Sequence, residues 1–325
     1  MNHLPNLFSP IKINQLEISN RIVLPPMATN FADGDGSVTD AVVAYYVERA
    51  RGGAGYITIE HTAVRVDGRA FPTMLMISTD DHVKGFQKLV DAVHAEGGKV
   101  FIQINHAGRQ TASKTTGFPI VSSSAVRCPL REETPRALTA REIHELIGAF
   151  VDAAKRVKAA GADGVEIHMA HGYLLNQFLS PVVNKREDEF GGSFENRMKV
   201  PLETLRAVRK VVGKAFPISC RISGDEYLDG GLELPDTQKV AQALEKNGAD
   251  VIHVSACMSS SPFPMIPHYY VKEGTFVHLA AGIKSVVDIP VICVGRIRNP
   301  KMAEEIVASG KADLVSMGRA LIADP

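Results

Sequence analysis

Two histidines and a tyrosine, His168, His171 and Tyr173, follow a short apolar segment in the middle of the chain. Residues 164–167 of that segment have the composition of a buried strand, and a long polar stretch follows it up to Arg197. Ionisable side chains at the carboxyl end of a buried strand are typical of α/β active sites. Two imidazoles and a phenol at this spacing could bind an oxygen atom and move a proton, or could take part in a metal site.

The metal site is the first alternative to consider. His61 and His106 follow other apolar segments, so a mononuclear site that joins them to His168 and His171 is conceivable. Glu60 is the one obvious carboxylate ligand nearby, and a metal would leave the polar groups at other strand ends without a role. The sequence therefore favours a site without a metal.

The rest of the chain repeats one unit, a short apolar segment and a longer amphipathic one. Apolar side chains such as Phe86, Leu89 and Val93 recur at helical spacing. The pattern predicts strands over residues 21–28, 56–60, 99–104, 163–168, 217–222, 250–255, 290–294 and 313–317. It predicts helices over residues 40–51, 79–96, 139–160, 195–213, 236–247, 275–287 and 300–309. Eight such units indicate an α/β fold, the (β/α)8 TIM barrel, in which chemistry takes place on the loops after the strands.

Local signals mark the ends of these elements. Several predicted helices are followed by a glycine, the residue that most easily adopts the left-handed conformation after a helix: Gly97, Gly161, Gly248 and Gly310. Residues 7–19 alternate apolar and polar side chains around a central Asn-Gln pair. This alternation predicts a short N-terminal β-hairpin that plugs one end of the barrel.

Three predicted loops are longer than ordinary connections, and all of them follow strands. They comprise residues 105–138, 169–194 and 256–274. Long irregular connections in compact domains are commonly functional. Because loops that follow barrel strands share one face, all three are expected at the same end of the barrel as His168.

Glycine and arginine stand together after the last two strands, as Gly295-Arg296 and Gly318-Arg319. In barrels the loops at these two places commonly hold a phosphate group. Glycine lets backbone amides approach the anion, and arginine supplies a fork of donors. Either pair alone could be a turn with a solvated charge, but the two together favour phosphate binding.

Gln103 and Arg221 are expected to point into the top of the barrel if side chains alternate along their strands. An amide can both donate to and accept from a uracil-like edge, and a cation suits a ring that becomes anionic on reduction. Together with a phosphate site they describe a flavin pocket. The alternatives are a satisfied core amide for Gln103 and a buried ion pair with Glu166 or Asp225 for Arg221.

With these residues in view, the chain resembles the old yellow enzyme family of NADH:flavin oxidoreductases. The similarity is strongest to the branch of 2,4-dienoyl-CoA reductase, 2-enoate reductase and trimethylamine dehydrogenase. The motifs that carry it span the chain: NRIVLPPMAT at 20–29, QINHAGRQ at 103–110, HMAHGYLLNQFLSPVVNKREDEFGGSFENR at 168–197, CRIS at 220–223, VGRI at 294–297 and MGRALIADP at 317–325.

The resemblance implies a role for each matching residue. His168 and His171 would bond the carbonyl oxygen of the substrate, and Tyr173 would be the proton donor. FMN would lie over the top of the barrel. Its binding residues would be Pro25, Pro26, Met27, Ala28, His61, Gln103, Arg221, Gly295, Arg296, Gly318 and Arg319.

The implied reaction is reduction of the C=C bond of an α,β-unsaturated carbonyl or carboxylate compound by hydride from reduced FMN, with NAD(P)H as the reductant. Three alternatives stay open. The first is a flavin barrel that passes electrons to a partner, and the second is an amine dehydrogenase of the same family. The third is a metal-dependent lyase barrel, which has no redox chemistry.

The resemblance also bears on domain organisation. It implies that residues 1–325 form one FMN-binding TIM barrel, with few residues left after the eighth strand for a closing helix. Long members of the family continue into a portion that holds a [4Fe-4S] centre, FAD and an NAD(P)H site. This chain has no G-x-G-x-x-G fingerprint of its own. We therefore expect it to be the N-terminal part of a longer multidomain enzyme.

Composition narrows the partners and the compartment. The 36 basic and 36 acidic residues balance, so no net charge attracts nucleic acid or an anionic membrane. Met1–Ser19 lacks the features of a signal peptide, and no stretch has the roughly 18 apolar residues of a membrane span. The four cysteines have no C-x-x-C spacing, which fits the cytoplasm. A small unsaturated molecule is the expected partner, and a homo-oligomer stays open.

Overall fold

Eight parallel strands form a closed barrel in the computed structural model, which describes residues 4–325. Residues 1–3 therefore lie outside the described part of the chain. They belong to the segment Met1–Ser19, in which the sequence shows no features of a signal peptide. Around the barrel the strands follow one another in chain order, and the last of them pairs with the first. Helices separate successive strands along the chain. The predicted (β/α)8 TIM barrel is thus confirmed.

The strands and helices lie close to their predicted positions. The strands are β1 Ile11–Ile13, β2 Leu16–Ile18, β3 Ile22–Leu24, β4 Tyr56–Ala63, β5 Val100–Asn105, β6 Val121–Ser122, β7 Arg136–Ala137, β8 Gly164–Met169, β9 Ile218–Ser223, β10 Val251–Ser255, β11 Val291–Cys293 and β12 Leu314–Ser316. The α-helices are α1 Asp40–Arg51, α2 Val83–Ala95, α3 Ser113–Thr116, α4 Ala140–Ala159, α5 Leu174–Leu179, α6 Phe194–Val212, α7 Leu234–Lys246, α8 Val277–Lys284, α9 Pro300–Ala308 and α10 Gly318–Ala323. The barrel consists of β3, β4, β5 and β8 to β12.

The N-terminal hairpin closes the amino end of the barrel, as predicted. Strands β1 and β2 pair antiparallel, and Ile13 faces Leu16 across the turn. Ile13 and Ile18 are fully buried against apolar side chains from the beginnings of the barrel strands, among them Tyr56 and Phe101. Burial of this apolar surface excludes water from the lower end of the barrel, so the open end is the one at which the strands finish.

Three aspartates bind neighbouring strands together at that closed end. Asp163, Asp250 and Asp313 each follow an alanine just before a barrel strand. Each carboxylate accepts the backbone N–H of the first residue of the adjacent strand, at 2.8, 2.7 and 2.8 Å respectively. Each aspartate N–H in turn donates to the carbonyl oxygen of that same residue. The reciprocal bonds satisfy backbone groups at the starts of the strands and fix the alignment of each pair.

The bounds of two elements differ from the prediction. Strand β4 runs to Ala63, beyond the predicted residue 60, and α8 covers only part of the predicted 275–287.

The long loops also differ from the prediction, because they contain short elements of their own. Helix α5, within the loop after β8, is buried along its whole length. A buried segment needs partners for its backbone polar groups, and a helical turn supplies them locally. The predicted helix-ending glycines all have positive φ.

None of the helices within residues 4–325 is both long and apolar enough to cross a bilayer.

Candidate active site

One cavity of about 290 Å³ opens at the carboxyl ends of the barrel strands. This size is close to the lower limit of roughly 300 Å³ for small-molecule pockets. Side chains from every part of the chain meet there. The lining includes each residue predicted for catalysis or for cofactor binding: Pro25, Pro26, Met27, Ala28, His61, Gln103, His168, His171, Tyr173, Arg221, Gly295, Arg296, Gly318 and Arg319.

His168 and His171 form a hydrogen-bonded pair at the end of β8. The backbone N–H of Ala170 donates to His168 Nδ1 at 3.3 Å. His168 Nε2 lies 3.4 Å from His171 Nδ1, and His171 Nε2 lies 2.7 Å from the hydroxyl of Ser255. The two rings are nearly perpendicular. The edge of one ring therefore lies against the face of the other, and both rings line the cavity.

The backbone of His171 is in the left-handed region, with φ of 62°. Such a conformation is unfavourable for a residue with a Cβ and persists only when neighbours hold it. Here the His171 N–H donates to Ser223 Oγ at 3.0 Å, and Gln110 Nε2 donates to the His171 carbonyl at 2.5 Å. Gly172, with φ of 76°, completes the turn. This turn brings the second imidazole back beside the first.

Burial keeps these imidazoles neutral. It lowers the pKa of His168 and of His171 well below the ordinary value, and the neighbouring histidines and the Arg221 charge lower both further. Burial followed by the Arg221 charge lowers the pKa of His61 to about 4. Each ring thus carries a single N–H at neutral pH, and its tautomer decides which nitrogen donates.

Tyr173 completes the polar wall of the cavity. It precedes α5, and its ring centroid is 5.0 Å from that of His168 and 5.3 Å from that of His61. Burial raises the pKa of Tyr173 to about 12, although the charges of Arg131 and Arg221 oppose the shift. The phenol therefore stays protonated across the physiological range and can serve as a proton donor.

Arg221 and Gln103 stand over a buried carboxylate. Gln103 Nε2 donates to Glu166 Oε1 at 2.7 Å, and His253 Nδ1 lies 2.8 Å from Glu166 Oε2. Arg221 makes no ion pair with Glu166 or Asp225 within the described residues, and its buried Nε has no partner there. A buried guanidinium with an unmet donor is unusual in the absence of a ligand. The arrangement fits the polar edge of a flavin, as the resemblance implies.

The backbone conformation and packing of Gly295 require a glycine, whereas Gly318 packs against the flexible end of Met27. Gly295 has φ of 125°, and a Cβ there would lie 2.8 Å from the backbone nitrogen of Phe276. A Cβ on Gly318 would lie 2.8 Å from Met27 Sδ. The wall at this end of the cavity is thus bare backbone. Arg296 donates to the Val271 carbonyl at 2.6 Å and also lines the cavity, so a phosphate here would meet both amides and a guanidinium.

Glu60 fixes the segment after β3 that borders the cavity. Its two carboxylate oxygens accept from Thr29, one from the backbone N–H at 2.9 Å and one from the hydroxyl at 2.6 Å. Burial raises the pKa of Glu60, while the bonds from Thr29 oppose that shift. This carboxylate is therefore occupied by the chain itself and holds Pro25–Ala28 against the cavity.

The structure does not join His106 to the other histidines. Its Nδ1 accepts from the Gly108 N–H at 3.1 Å, its Nε2 lies 3.4 Å from Asp67, and it does not line the cavity. Within residues 4–325 no three His, Cys, Asp or Glu side chains are grouped as a metal site would need. The four-histidine arrangement considered from the sequence is therefore not formed.

Several lining residues were missed by sequence analysis. Ser255 and Ser316 end β10 and β12, so the rule that strand ends carry polar groups would have identified both. Met265, Ile266 and Pro267 lie in the irregular loop that follows β10, and Phe276 is the N-cap residue of α8; no sequence pattern reveals these four. Val294, Ile297 and Arg298 flank the predicted Gly295-Arg296 pair after β11.

Comparison with known sequences gives matches over nearly the whole chain. The profile of the NADH:flavin oxidoreductase / NADH oxidase family matches residues 6–325. The NADH oxidase of Thermoanaerobacter brockii is 49% identical over 329 residues, which cover 100% of this chain and 50% of that protein. The chain spans about half the length of the first curated relatives it matches.

Solved structures share the architecture. The 2-naphthoyl-CoA reductase in its complex with 2-naphthoyl-CoA superposes with a TM-score of 0.96 at 32% identity, over 99% of this chain and 51% of the reductase. An old yellow enzyme homologue from Zymomonas mobilis superposes with a TM-score of 0.84 at 27% identity, over 97% of this chain and 89% of that one.

Proposed function

The chain belongs to the NADH:flavin oxidoreductase / NADH oxidase family, that of the old yellow enzymes, and we propose that it is an FMN-dependent ene-reductase. Its substrates are small α,β-unsaturated carbonyl or carboxylate compounds, and NAD(P)H is the ultimate reductant. The observation that carries the proposal is one shared cavity, in which a neutral histidine pair and a protonated tyrosine face the Gln103–Arg221 pair.

The cavity residues divide into two groups by chemistry. When bound, FMN supplies the hydride for the β-carbon of the substrate. Gln103 and Arg221 would hold its pyrimidine edge, and the unmet Arg221 Nε supports that role. Gly295 and Gly318, with Arg296 and Arg319 beside them, would hold its phosphate. Pro25, Pro26, Met27, Ala28 and His61 would border its ring.

His168 and His171 bind the carbonyl oxygen of the substrate. Negative charge grows on this oxygen as the β-carbon is reduced, so donors aimed at it stabilise the transition state more than the substrate. One well-aimed donor contributes about 3 kcal/mol in comparable oxyanion sites. Neutral imidazoles suit the task because each can donate one N–H without placing a charge in the cavity.

Tyr173 delivers a proton to the α-carbon and so completes the reduction. Its raised pKa keeps the phenol protonated, and its place beside His168 sets it next to the bound carbonyl group. General acid catalysis by a positioned side chain contributes roughly 10²–10⁴-fold in rate. The proton is replaced from solvent through the open mouth of the cavity.

Anaerobic reoxidation tests the proposal. Protein reconstituted with FMN is photoreduced, mixed with 2-cyclohexen-1-one and followed through the flavin absorption. Rapid reoxidation with formation of cyclohexanone is expected, and it should largely vanish in the His168→Ala, His171→Ala double variant. Failure of the wild-type protein to bind FMN would defeat the proposal.

The same experiment separates the alternatives. A barrel that only passes electrons to a partner would bind FMN but would not be reoxidised by the enone. An amine dehydrogenase would be reduced by a secondary amine, a reaction for which a histidine pair aimed at an oxyanion offers no advantage. We favour the ene-reductase because His168 and His171 line the cavity. An imidazole can donate an N–H to a substrate oxygen, whereas an amine-binding site of this family would use aromatic side chains at these positions.

We further infer a longer native polypeptide, in which this barrel is followed by a portion with a [4Fe-4S] centre and FAD. The length of the curated relatives supports this, since the chain corresponds to about half of each of the first three. Iron and FAD content of the protein purified from its source organism tests it. A cytoplasmic location fits the four buried free thiols, and size-exclusion chromatography with light scattering tests for a homo-oligomer.

A further inference from the structure

Ser255 is the one residue whose side-chain hydroxyl contacts a ring nitrogen of the histidine pair within the described chain. It ends β10, is 3% exposed and lines the cavity. Its Oγ lies 2.7 Å from His171 Nε2, the shorter of the two side-chain contacts of that ring. A contact this short to a neutral imidazole is a full hydrogen bond, so one of the two atoms carries the proton and the other accepts it.

Neighbouring bonds restrict where the imidazole protons can be. His168 Nδ1 accepts from the Ala170 N–H, so the single proton of neutral His168 is on Nε2. That proton points at His171 Nδ1, 3.4 Å away. Without a ligand, the bonds are all satisfied if His171 accepts on Nδ1 and donates from Nε2 to Ser255 Oγ. The pair then forms a relay that runs from His168 through His171 to Ser255.

An oxyanion between the rings requires a different distribution of protons. Both His168 Nε2 and His171 Nδ1 must then donate to it, so His171 needs its proton on Nδ1. Its Nε2 becomes an acceptor, and the partner at that position has to donate. A serine hydroxyl can do both, because rotation about Cβ–Oγ turns it from acceptor to donor. A carboxylate could only accept, and an apolar side chain could do neither.

We propose that Ser255 is a positioning residue that lets His171 change tautomer when an oxyanion binds. The change leaves the net charge unaltered, since the proton lost from Nε2 passes to water and the proton gained on Nδ1 comes from water. This inference rests on the proposed oxyanion-binding role of His168 and His171. It adds that the histidine pair is a two-donor site only when the side chain at position 255 can donate to His171 Nε2, as a hydroxyl can.

The matched test compares Ser255→Thr with Ser255→Val in the FMN-loaded protein. The two replacements have nearly the same shape and differ in the hydroxyl. Pentafluorophenol is the probe, because it is an oxyanion at neutral pH and its binding is followed by ¹⁹F NMR. Histidine labelled with ¹⁵N reports the protonated nitrogen of each ring, and thermal unfolding of both variants reports their folding.

In wild type and Ser255→Thr, His171 should carry its proton on Nε2 without the probe and on Nδ1 with it. In Ser255→Val the switch should fail, and the dissociation constant should rise about tenfold relative to Ser255→Thr, as for one lost hydrogen bond. Equal affinity and equal ¹⁵N patterns in the two variants overturn the role of Ser255 alone. A probe that perturbs neither histidine of the wild type overturns the oxyanion site as well.

Discussion

The side-chain amide of Gln103 donates to a carboxylate oxygen of Glu166, with 2.7 Å between the two atoms. Glu166 is fully buried, and its second oxygen accepts from Ser219 Oγ at 2.8 Å and lies 2.8 Å from His253 Nδ1. Burial alone would raise the pKa of Glu166, but the His253 and Arg221 charges and these bonds lower it overall. The carboxylate therefore stays ionised and fixes the amide with its nitrogen toward the core.

This relationship predicts that Glu166→Gln weakens FMN binding. Glutamine at position 166 can turn either its oxygen or its nitrogen toward Gln103, so the Gln103 amide is no longer held in one orientation, and the negative charge that balances the buried Arg221 is lost. The dissociation constant for FMN, measured by recovery of flavin fluorescence on release, should rise at least about tenfold. Removal of one partner from a buried charged network should also lower the free energy of unfolding by about 3 kcal/mol.

Ser219→Ala is the control for that prediction. It removes one bond to Glu166 but leaves both the charge and the Gln103 contact, so a loss of only about 1 kcal/mol is expected. FMN affinity should stay within about threefold of wild type, a free-energy change under 1 kcal/mol. If Glu166→Gln binds FMN as tightly as this control, the carboxylate does not orient the amide.

Tyr173→Phe should slow the oxidative half-reaction and spare the reductive one. The phenylalanine keeps the ring that packs on His168 but removes the proton donor, so reoxidation by 2-cyclohexen-1-one should slow by about 10²-fold or more. Flavin reduction should keep the wild-type rate because no proton from Tyr173 is needed there. Stopped-flow absorbance measures both steps, and equal slowing of the two would indicate a structural role instead.

The pH dependence of the same step follows from the tyrosine. With a pKa of about 12, Tyr173 keeps its proton throughout the neutral and mildly alkaline range. The wild-type rate constant of reoxidation should therefore be flat from pH 7 to about pH 10, whereas a phenol with the ordinary pKa of about 10 would already be half deprotonated at that pH. A wild-type rate that falls with a midpoint below pH 9 would contradict the assignment of Tyr173 as the acid.

Most of the barrel could be predicted from the sequence because its signals are local. The helix predicted over residues 40–51 is α1, which begins after the N-cap Thr39 and ends before Gly52. Periodic apolar residues and helix-ending glycines are properties of a few neighbouring residues, and they locate elements without any tertiary information. The polar residues at the carboxyl ends of the predicted strands then indicate which side chains meet at the open end of the barrel.

What the sequence did not indicate depends on contacts between distant residues. The bond from Ser255 to His171 joins positions 84 apart, and no local pattern signals it. The turn of His106 toward Asp67, away from the other histidines, depends on the loop after β4. Met265 reaches the cavity from an irregular loop that has no hydrophobic period, and Phe276 reaches it from the N-cap of α8. These positions follow from packing, which is specified by the whole fold.

Acidification should destabilise the protein through its buried histidines. Unfolded His61 takes up a proton below its ordinary pKa of about 6.5, whereas folded His61 stays neutral down to about pH 4. Between these values the unfolded state binds more protons, so stability falls as the pH falls, by about 1.4 kcal/mol per pH unit from this one group. Above pH 6.5 both states are neutral and the contribution is constant.

His61→Gln should remove this part of the pH dependence. Between pH 6.5 and pH 5 the variant should lose about 2 kcal/mol less unfolding free energy than the wild type. Urea unfolding with FMN in excess measures the difference. His144→Gln is the control because that side chain is exposed and outside the buried cluster. Identical pH slopes for His61→Gln and His144→Gln would show that His61 is not held neutral in the fold.

Asp250→Asn should destabilise the barrel without affecting the cavity. Asp250 accepts the Ile218 N–H and is bonded by Arg209 and by Asn14 of the N-terminal hairpin, so it ties β9, α6 and the plug together. Asparagine keeps an oxygen for the Ile218 N–H but loses the charge that strengthens all three bonds. A loss of about 2 kcal/mol in the free energy of unfolding is expected, as for hydrogen bonds to a charged group. FMN affinity should not change, because the substitution is at the opposite end of the barrel from the site.

Asp288→Asn is the control. Asp288 is an exposed aspartate on the same side of the molecule, so this substitution should change the free energy of unfolding by no more than about 0.5 kcal/mol. A stability of Asp250→Asn equal to that of Asp288→Asn would mean that the reciprocal aspartate bonds do not hold the strands in place.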